Sequence, residues 1–99
     1  MGIVPRLNDV RIGASRRDCY GNRRFYDMLV VRSCAADTKS GRERTRRHLL
    51  KEWVNSGGRF LIKDHKRLIC EASERQTLRW IARMQRKVVK ALQNSNEVG

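Results

Sequence analysis

The side chains with the clearest chemical potential in this sequence are basic. Lysine and arginine together number 23, against 10 aspartate and glutamate residues, and the formal net charge of the 99-residue chain is +13. Arginine supplies 17 of these 23 cations. Because a guanidinium group can donate paired hydrogen bonds to a phosphate, this excess predicts a polyanionic partner. The alternative is a basic surface that only keeps the chain in solution.

Most of the charge lies between residues 40 and 90, which hold 15 basic and 5 acidic residues. We expect the contacts to nucleic acid to come from three groups there. The first group belongs to a predicted second helix, the second to a predicted hairpin and the third to a predicted third helix. They are Arg42, Arg44, Arg46, Arg47 and Lys51; Arg59, Lys63, Lys66 and Arg67; and Arg75, Arg79 and Arg83.

Residue patterns for catalysis or metal binding are lacking. His48 and His65 have no partner at ligand spacing, and the three cysteines form no C-x-x-C pair. No phosphate-binding G-x-x-x-x-G-K-[ST] loop occurs. We therefore expect no enzymatic activity, no catalytic residues, no metal, no cofactor and no small-molecule substrate. Cys34 and Cys70 are expected to be reduced, small core residues of an intracellular protein.

No apolar run approaches the roughly 18 residues that a membrane span needs, so we expect no membrane partner. The length predicts one domain, over residues 9–93, between a flexible N-terminal tail at 1–8 and a C-terminal tail at 94–99. Residues 9–12 alternate in polarity, which predicts a short strand. Arg16 and Arg17 follow in a loop, either as phosphate contacts or as solvated charges.

The first helix is predicted over 22–34 with Asn22 as its N-cap, although residues 28–31 would also suit a strand. The second is predicted over 41–55, opened by a capping box of Ser40 and Glu43. Its apolar stripe comprises Leu49, Leu50, Trp53 and Val54. Gly57 and Gly58 then either end the helix or form an anion-binding nest with Arg59.

A β-hairpin follows, with Phe60 and Ile62 on one side and Arg59, Leu61 and Lys63 on the other. A second capping box, Ser73 and Gln76, opens the third helix at about 74–93. The elements together predict an α+β fold of three helices, with the hairpin between the second and third and an additional N-terminal strand. Such a set can form a compact winged-helix-like module, in which the hairpin is either a wing that contacts nucleic acid or a clip that closes the core.

Four short motifs follow one another along the chain: Asp9-Val10-x-x-Gly13, Gly21-Asn22-x-x-Phe25, Gly57-Gly58-Arg59-Phe60-Leu61-x-Lys63-Asp64 and Lys87-Val88-x-x-Ala91-Leu92. In order and spacing they resemble a domain of unknown function that is abundant in diatoms and other stramenopiles. The resemblance covers residues 8–93. It implies a small α+β domain of a nuclear protein, and it implies no established activity.

The sequence departs from that pattern at four positions. Ala14 and Ser15 stand in place of an arginine and a glycine, Cys19 in place of a histidine, and Ile69 in place of an aromatic residue. If those positions bind a ligand in the family, this chain has an altered site.

The function expected from the sequence is phosphate-dominated binding of nucleic acid, with duplex DNA favoured over RNA and the nucleus as the favoured location. Residues 41–55 are preferred over 74–93 as the docking helix, because several arginines lie near their N-terminus. The alternatives are a protein-interaction module for acidic partners and a basic protein associated with RNA or the ribosome.

Overall fold

The structure, a computed structural model, describes residues 2–14, 19–34 and 38–98. In chain order the elements are β1 (Val10–Arg11), α1 (Tyr20–Cys34), α2 (Lys39–Asn55), β2 (Phe60–Lys63), β3 (Ile69–Glu71) and α3 (Glu74–Val98). The predicted α+β fold, with three helices and a hairpin between the second and third, is therefore confirmed. Arg16, Arg17 and Ser15 lie outside the described residues.

The predicted N-terminal strand forms the edge of a three-stranded mixed sheet with the order β1-β2-β3. β1 runs parallel to β2, with Val10 opposite Phe60, and β2 runs antiparallel to β3, with Ile62 opposite Cys70. Residues 2–8, expected to be a tail, contact this sheet: the Ile3 amide donates to the Ile69 carbonyl over 2.8 Å. The chain thus reaches β3 before it crosses the sheet to β1.

The core is an aromatic cluster centred on Phe25, which is fully buried. Its ring meets Trp53 and Phe60 edge to face at centroid separations of 5.5 and 5.2 Å, and Trp80 lies 5.8 Å away. One aromatic residue therefore joins α1 to α2, to the sheet and to α3. Each such pair adds about 1 kcal/mol to the stabilisation that comes from burial of the rings.

Helix α1 begins earlier than predicted, and Asn22 is not its N-cap. Asn22 lies in the first turn of the helix and is buried. Its side chain accepts from the Arg11 amide over 2.7 Å and donates to the carbonyls of Arg11 and Ala14. The Arg11 amide and the Ala14 carbonyl thereby gain a partner, and the Arg11 carbonyl, which also accepts from the Ala14 amide, gains a second one. Asn22 therefore fastens β1 to α1.

The capping box predicted for α2 is also wrong. Thr38, with extended backbone angles, is the N-cap, and its side chain accepts from the Gly41 amide over 2.9 Å. Ser40 is already inside the helix. The capping box of α3 is confirmed, because the Ser73 hydroxyl accepts from the Gln76 amide and the Gln76 side chain accepts from the Ser73 amide.

Two predicted core residues are exposed. Cys34 lies exposed at the end of α1, and Val54 is 53% exposed at the edge of the predicted stripe of α2. Leu61 is buried although it faces away from Phe60. Arg59, on the same side of the strand as Leu61, contacts residues 4 and 9, so the N-terminal segment covers that second face. Helix α3 extends to Val98, beyond the predicted end near residue 93.

Candidate nucleic-acid interface

Between Arg75 and Lys90, one side of α3 carries most of the cations of the helix and no acidic residue. At about 100° per residue, five of its six cations fall within an arc of about 80°, opposite the buried Thr77, Ile81 and Val88, and Lys87 lies about 40° beyond that arc. All of them are exposed, and none forms an ion pair within the described part of the chain. They rise along the axis by about 22 Å. We call this set the basic face of α3: Arg75, Arg79, Arg83, Arg86 and Lys90.

No acidic residue occurs between Arg75 and Asn96. Like charges spaced by three or four residues repel one another along a helix, so this face reduces the stability of α3 unless an anion lies opposite. The amphipathic pattern offsets that repulsion, since Trp80, Ile81 and Val88 bury the other side against α1 and α2. The helix is therefore packed against α1 and α2 on its apolar side, while the basic face remains exposed.

Helix α2 presents a second, shorter basic face. Arg44, Arg47 and Lys51 are exposed along one side of the helix and line a groove of about 700 Å³. The opposite side of the groove carries Glu71 and Glu74. Two of the arginines preferred from the sequence, Arg44 and Arg47, thus face two carboxylates across an open groove, whereas the arginines of α3 do not.

Arg42 and Arg46 point away from this exposed face, toward the junction of the helices. Both are half-buried, and Arg46 donates to the Gln85 side-chain oxygen over 2.8 Å. Gln85 is 1% exposed and donates in turn to the Arg42 carbonyl and, more distantly, to Ser33. This network joins all three helices. Arg46 is therefore held in a structural contact.

Arg59 is likewise held within the fold. Its guanidinium group makes a two-pronged ion pair with Asp9, at 2.7 and 3.1 Å, and donates to the Val4 carbonyl. Burial by itself would raise the pKa of Asp9. Hydrogen bonds from Arg59 and from the Arg6 amide, with the positive charge of both residues, outweigh burial and hold that pKa below its usual value. The pair stabilises the crossing of the N-terminal segment over the sheet.

The hairpin corner is exposed but lies apart from the groove. Lys63, Lys66 and Arg67 are all exposed, and Asp64 shapes the turn by accepting from the amides of Lys66 and Leu68. Arg67 has a positive φ of 62°, within the left-handed region. The groove ends at Phe60, about 13 Å along the strand from Asp64. The corner and the basic face of α2 do not share one cavity.

The glycine pair before β2 serves the backbone. Gly57 has a φ of +93° and its amide donates to the Val54 carbonyl, as expected of a residue that ends a helix. A Cβ at Gly58 would overlap the Trp53 indole nitrogen, which is buried without a hydrogen-bond acceptor in the described structure. Since Arg59 is paired with Asp9, these contacts favour the helix-ending interpretation over an anion-binding nest.

The sequence did not single out several residues that organise the surface. The sequence does not predict the role of Gln85, because a buried glutamine on an apolar stripe has no distinctive spacing. Glu71 and Glu74 were hidden because their proximity to α2 depends on how the hairpin packs. Arg86 and Lys90 differ from these residues, because they continue the spacing of Arg75, Arg79 and Arg83. Helical periodicity alone therefore identifies them as part of the basic face.

No family model, curated protein or solved structure matches this chain. The resemblance to the stramenopile domain therefore stays a prediction. Its motif residues are structural here: Asp9 pairs with Arg59, Asn22 binds the end of β1, and a Cβ at Gly21 would overlap the Asp9 carbonyl.

No helix among the described residues is long and apolar enough to cross a membrane. No group of three or more histidine, cysteine, aspartate or glutamate side chains in the described ranges could hold a metal ion.

Proposed function

We propose that this protein binds nucleic acid through the basic face of α3, with the phosphates of duplex DNA as its ligand. The observation that supports this proposal most is the run of five exposed cations over about 22 Å of one helix, with no acidic residue from Arg75 to Asn96. A double-stranded phosphate backbone presents negative charge at that scale, one charge per about 1.7 Å of helix axis. A DNA-binding role agrees with the nuclear location expected from the sequence.

Binding is expected to tolerate different base sequences. The centre of the basic face offers only arginine and lysine, which reach phosphates at any position along a duplex, although both can also contact guanine edges. Contacts to phosphate fix the position of a protein but do not distinguish bases. The hairpin corner supplies three further exposed cations, Lys63, Lys66 and Arg67, which would strengthen this sequence-independent attraction.

The test is a fluorescence anisotropy titration of a labelled 20-base-pair duplex between 50 and 300 mM salt. If five phosphates are neutralised, log K falls with log salt at a slope of about −4.5. A second duplex of unrelated sequence should bind with similar affinity. Affinity that does not change with salt would contradict the proposal.

Competition distinguishes DNA from RNA. An unlabelled duplex DNA should displace the probe at a lower concentration than a structured RNA hairpin of equal length does, because A-form and B-form grooves present phosphates differently. Displacement by RNA at the lower concentration would make RNA the ligand of the same face.

A further inference from the structure

A second surface of the molecule has a chemistry different from that of the basic face of α3. It is the groove of about 700 Å³ between α2, the base of the hairpin and the first turn of α3. Glu74 and Thr77, which line it, lie on the opposite side of α3 from Arg79 and Arg83. The groove and the basic face therefore point in different directions, and a ligand on one leaves the other open.

The two walls of the groove carry opposite charges. Arg44, Arg47 and Lys51 form the wall on α2, and Glu71 and Glu74 lie on the facing wall. All five are exposed, and none of them forms an ion pair within the described residues. Arg59 lies beside the two glutamates, but its charge is paired with Asp9. A polyphosphate chain is negative on every side, so it would meet repulsion from the acidic wall. A peptide can carry acidic side chains on one flank only, and it suits both walls.

The groove also offers apolar surface between the charged walls. Val54 is 53% exposed, and Leu50, Phe60 and Ala72 line the same space. Exposed apolar surface beside unpaired cations is typical of grooves that hold an apolar anchor residue surrounded by charged contacts. The volume lies within the range of formed ligand sites.

We propose that this groove docks a short peptide segment of a partner protein, with acidic residues on the flank that faces α2 and a bulky apolar residue against Val54. Charge complementarity sets the orientation: carboxylates of the peptide meet Arg44, Arg47 and Lys51, while its other flank, neutral or basic, meets Glu71 and Glu74. This site is independent of the DNA-binding face.

The experiment selects phage-displayed random 12-residue peptides on the immobilised full-length chain and measures the best synthetic peptide by fluorescence anisotropy. We expect enriched peptides to combine acidic residues with a large apolar residue. Val54→Glu should weaken the selected peptide by at least about tenfold, because it places a negative charge at the apolar anchor. Arg47→Glu should have a similar effect.

The matched control is Val31→Glu, which changes a valine that is 68% exposed on α1 and does not line the groove. It should alter peptide affinity by less than about twofold. All three variants should bind labelled duplex DNA much as the unaltered chain does, so failure of this site and failure of DNA binding are distinguishable. Recovery of no binding peptides, or of peptides insensitive to Val54→Glu, would overturn the proposal.

Discussion

Helices α2 and α3 have the same charge composition, but their acidic residues are distributed differently among the cations. Each contains six basic and two acidic residues. In α3 the acidic residues stand at the two ends, and the 22 residues between them are free of negative charge. In α2 the acidic residues lie among the cations. Both carboxylate oxygens of Glu52 accept from the guanidinium group of Arg32 in α1, each over 3.0 Å. Charge count alone does not distinguish the two helices.

Tertiary contacts widen that difference. Arg46 of α2 is held by Gln85, and Arg44, Arg47 and Lys51 share the groove with the carboxylates of Glu71 and Glu74. The cations of α3 have neither kind of partner in the described structure. We infer that α3 is suited to an extended polyanion and α2 to a ligand with two different flanks. The preference for α2 made from the sequence is thereby reversed in our proposal.

The largest effect is expected on DNA affinity, when charge is reversed on α3 rather than on α2. Arg79→Glu combined with Arg83→Glu should weaken duplex binding by about 100-fold at 100 mM salt and reduce the salt slope by about 2, because two phosphate contacts are lost. Arg44→Glu with Lys51→Glu makes the same change of charge on α2 and should cost less than about tenfold, since only long-range attraction is reduced. Anisotropy titrations measure both, and equal losses would contradict the comparison.

The next prediction concerns Arg59, which we expect to contribute to stability through Asp9 and not to DNA binding. Asp9→Asn should lower the free energy of unfolding by about 2 kcal/mol at pH 7, because Arg59 loses its charged partner, while DNA affinity stays unchanged. The pKa of Asp9 is lowered in the folded chain, so the contribution of the ion pair to stability is fully present above the ordinary aspartate pKa and is lost as pH falls through the folded pKa.

Urea denaturation at pH 7 and at about pH 2.5 measures this dependence. The difference between the unaltered chain and Asp9→Asn should shrink at the lower pH. Asp27→Asn, an exposed aspartate of α1, is the control and should change stability little at either pH. A difference that stays constant with pH would exclude the Asp9 charge as its cause.

A smaller effect tests the junction that holds α2 against α3. Gln85→Leu keeps the volume of the side chain but removes the acceptor for Arg46 and the donor to the Arg42 carbonyl, so stability should fall by about 1–2 kcal/mol. Gln93→Leu changes an exposed glutamine of the same helix and should be near neutral. Thermal or urea unfolding that ranks the two variants equally would show that the network contributes nothing.

The smallest effect concerns the start of each helix. Thr38→Ala should destabilise by about 1 kcal/mol, as should Ser73→Ala, since each removes an N-cap hydroxyl. Ser40→Ala should change the free energy of unfolding by less than about 0.5 kcal/mol, because Ser40 is inside α2. If Ser40→Ala is the more harmful change at the start of α2, the assignment of Thr38 as N-cap is wrong.

Particular residues show why sequence patterns succeeded in some places and not in others. The box of Ser73 and Gln76 is a local interaction, and it forms as its spacing predicts. Asn22 has the residue type of an N-cap, yet its partners are the backbone groups of Arg11 and Ala14, which only the packing of β1 beside α1 brings near. Arg59 has the type of a phosphate contact, yet its partner Asp9 lies 50 residues away in the chain.

The sequence by itself determined the kinds and order of the elements, most of the apolar residues of the core and the basic excess, because periodicity and composition act over a few neighbouring residues. Only the tertiary structure decided which cations remain without a partner. That decision depends on contacts between residues distant in the chain, such as Arg46 with Gln85 and Arg59 with Asp9, and no local pattern records them.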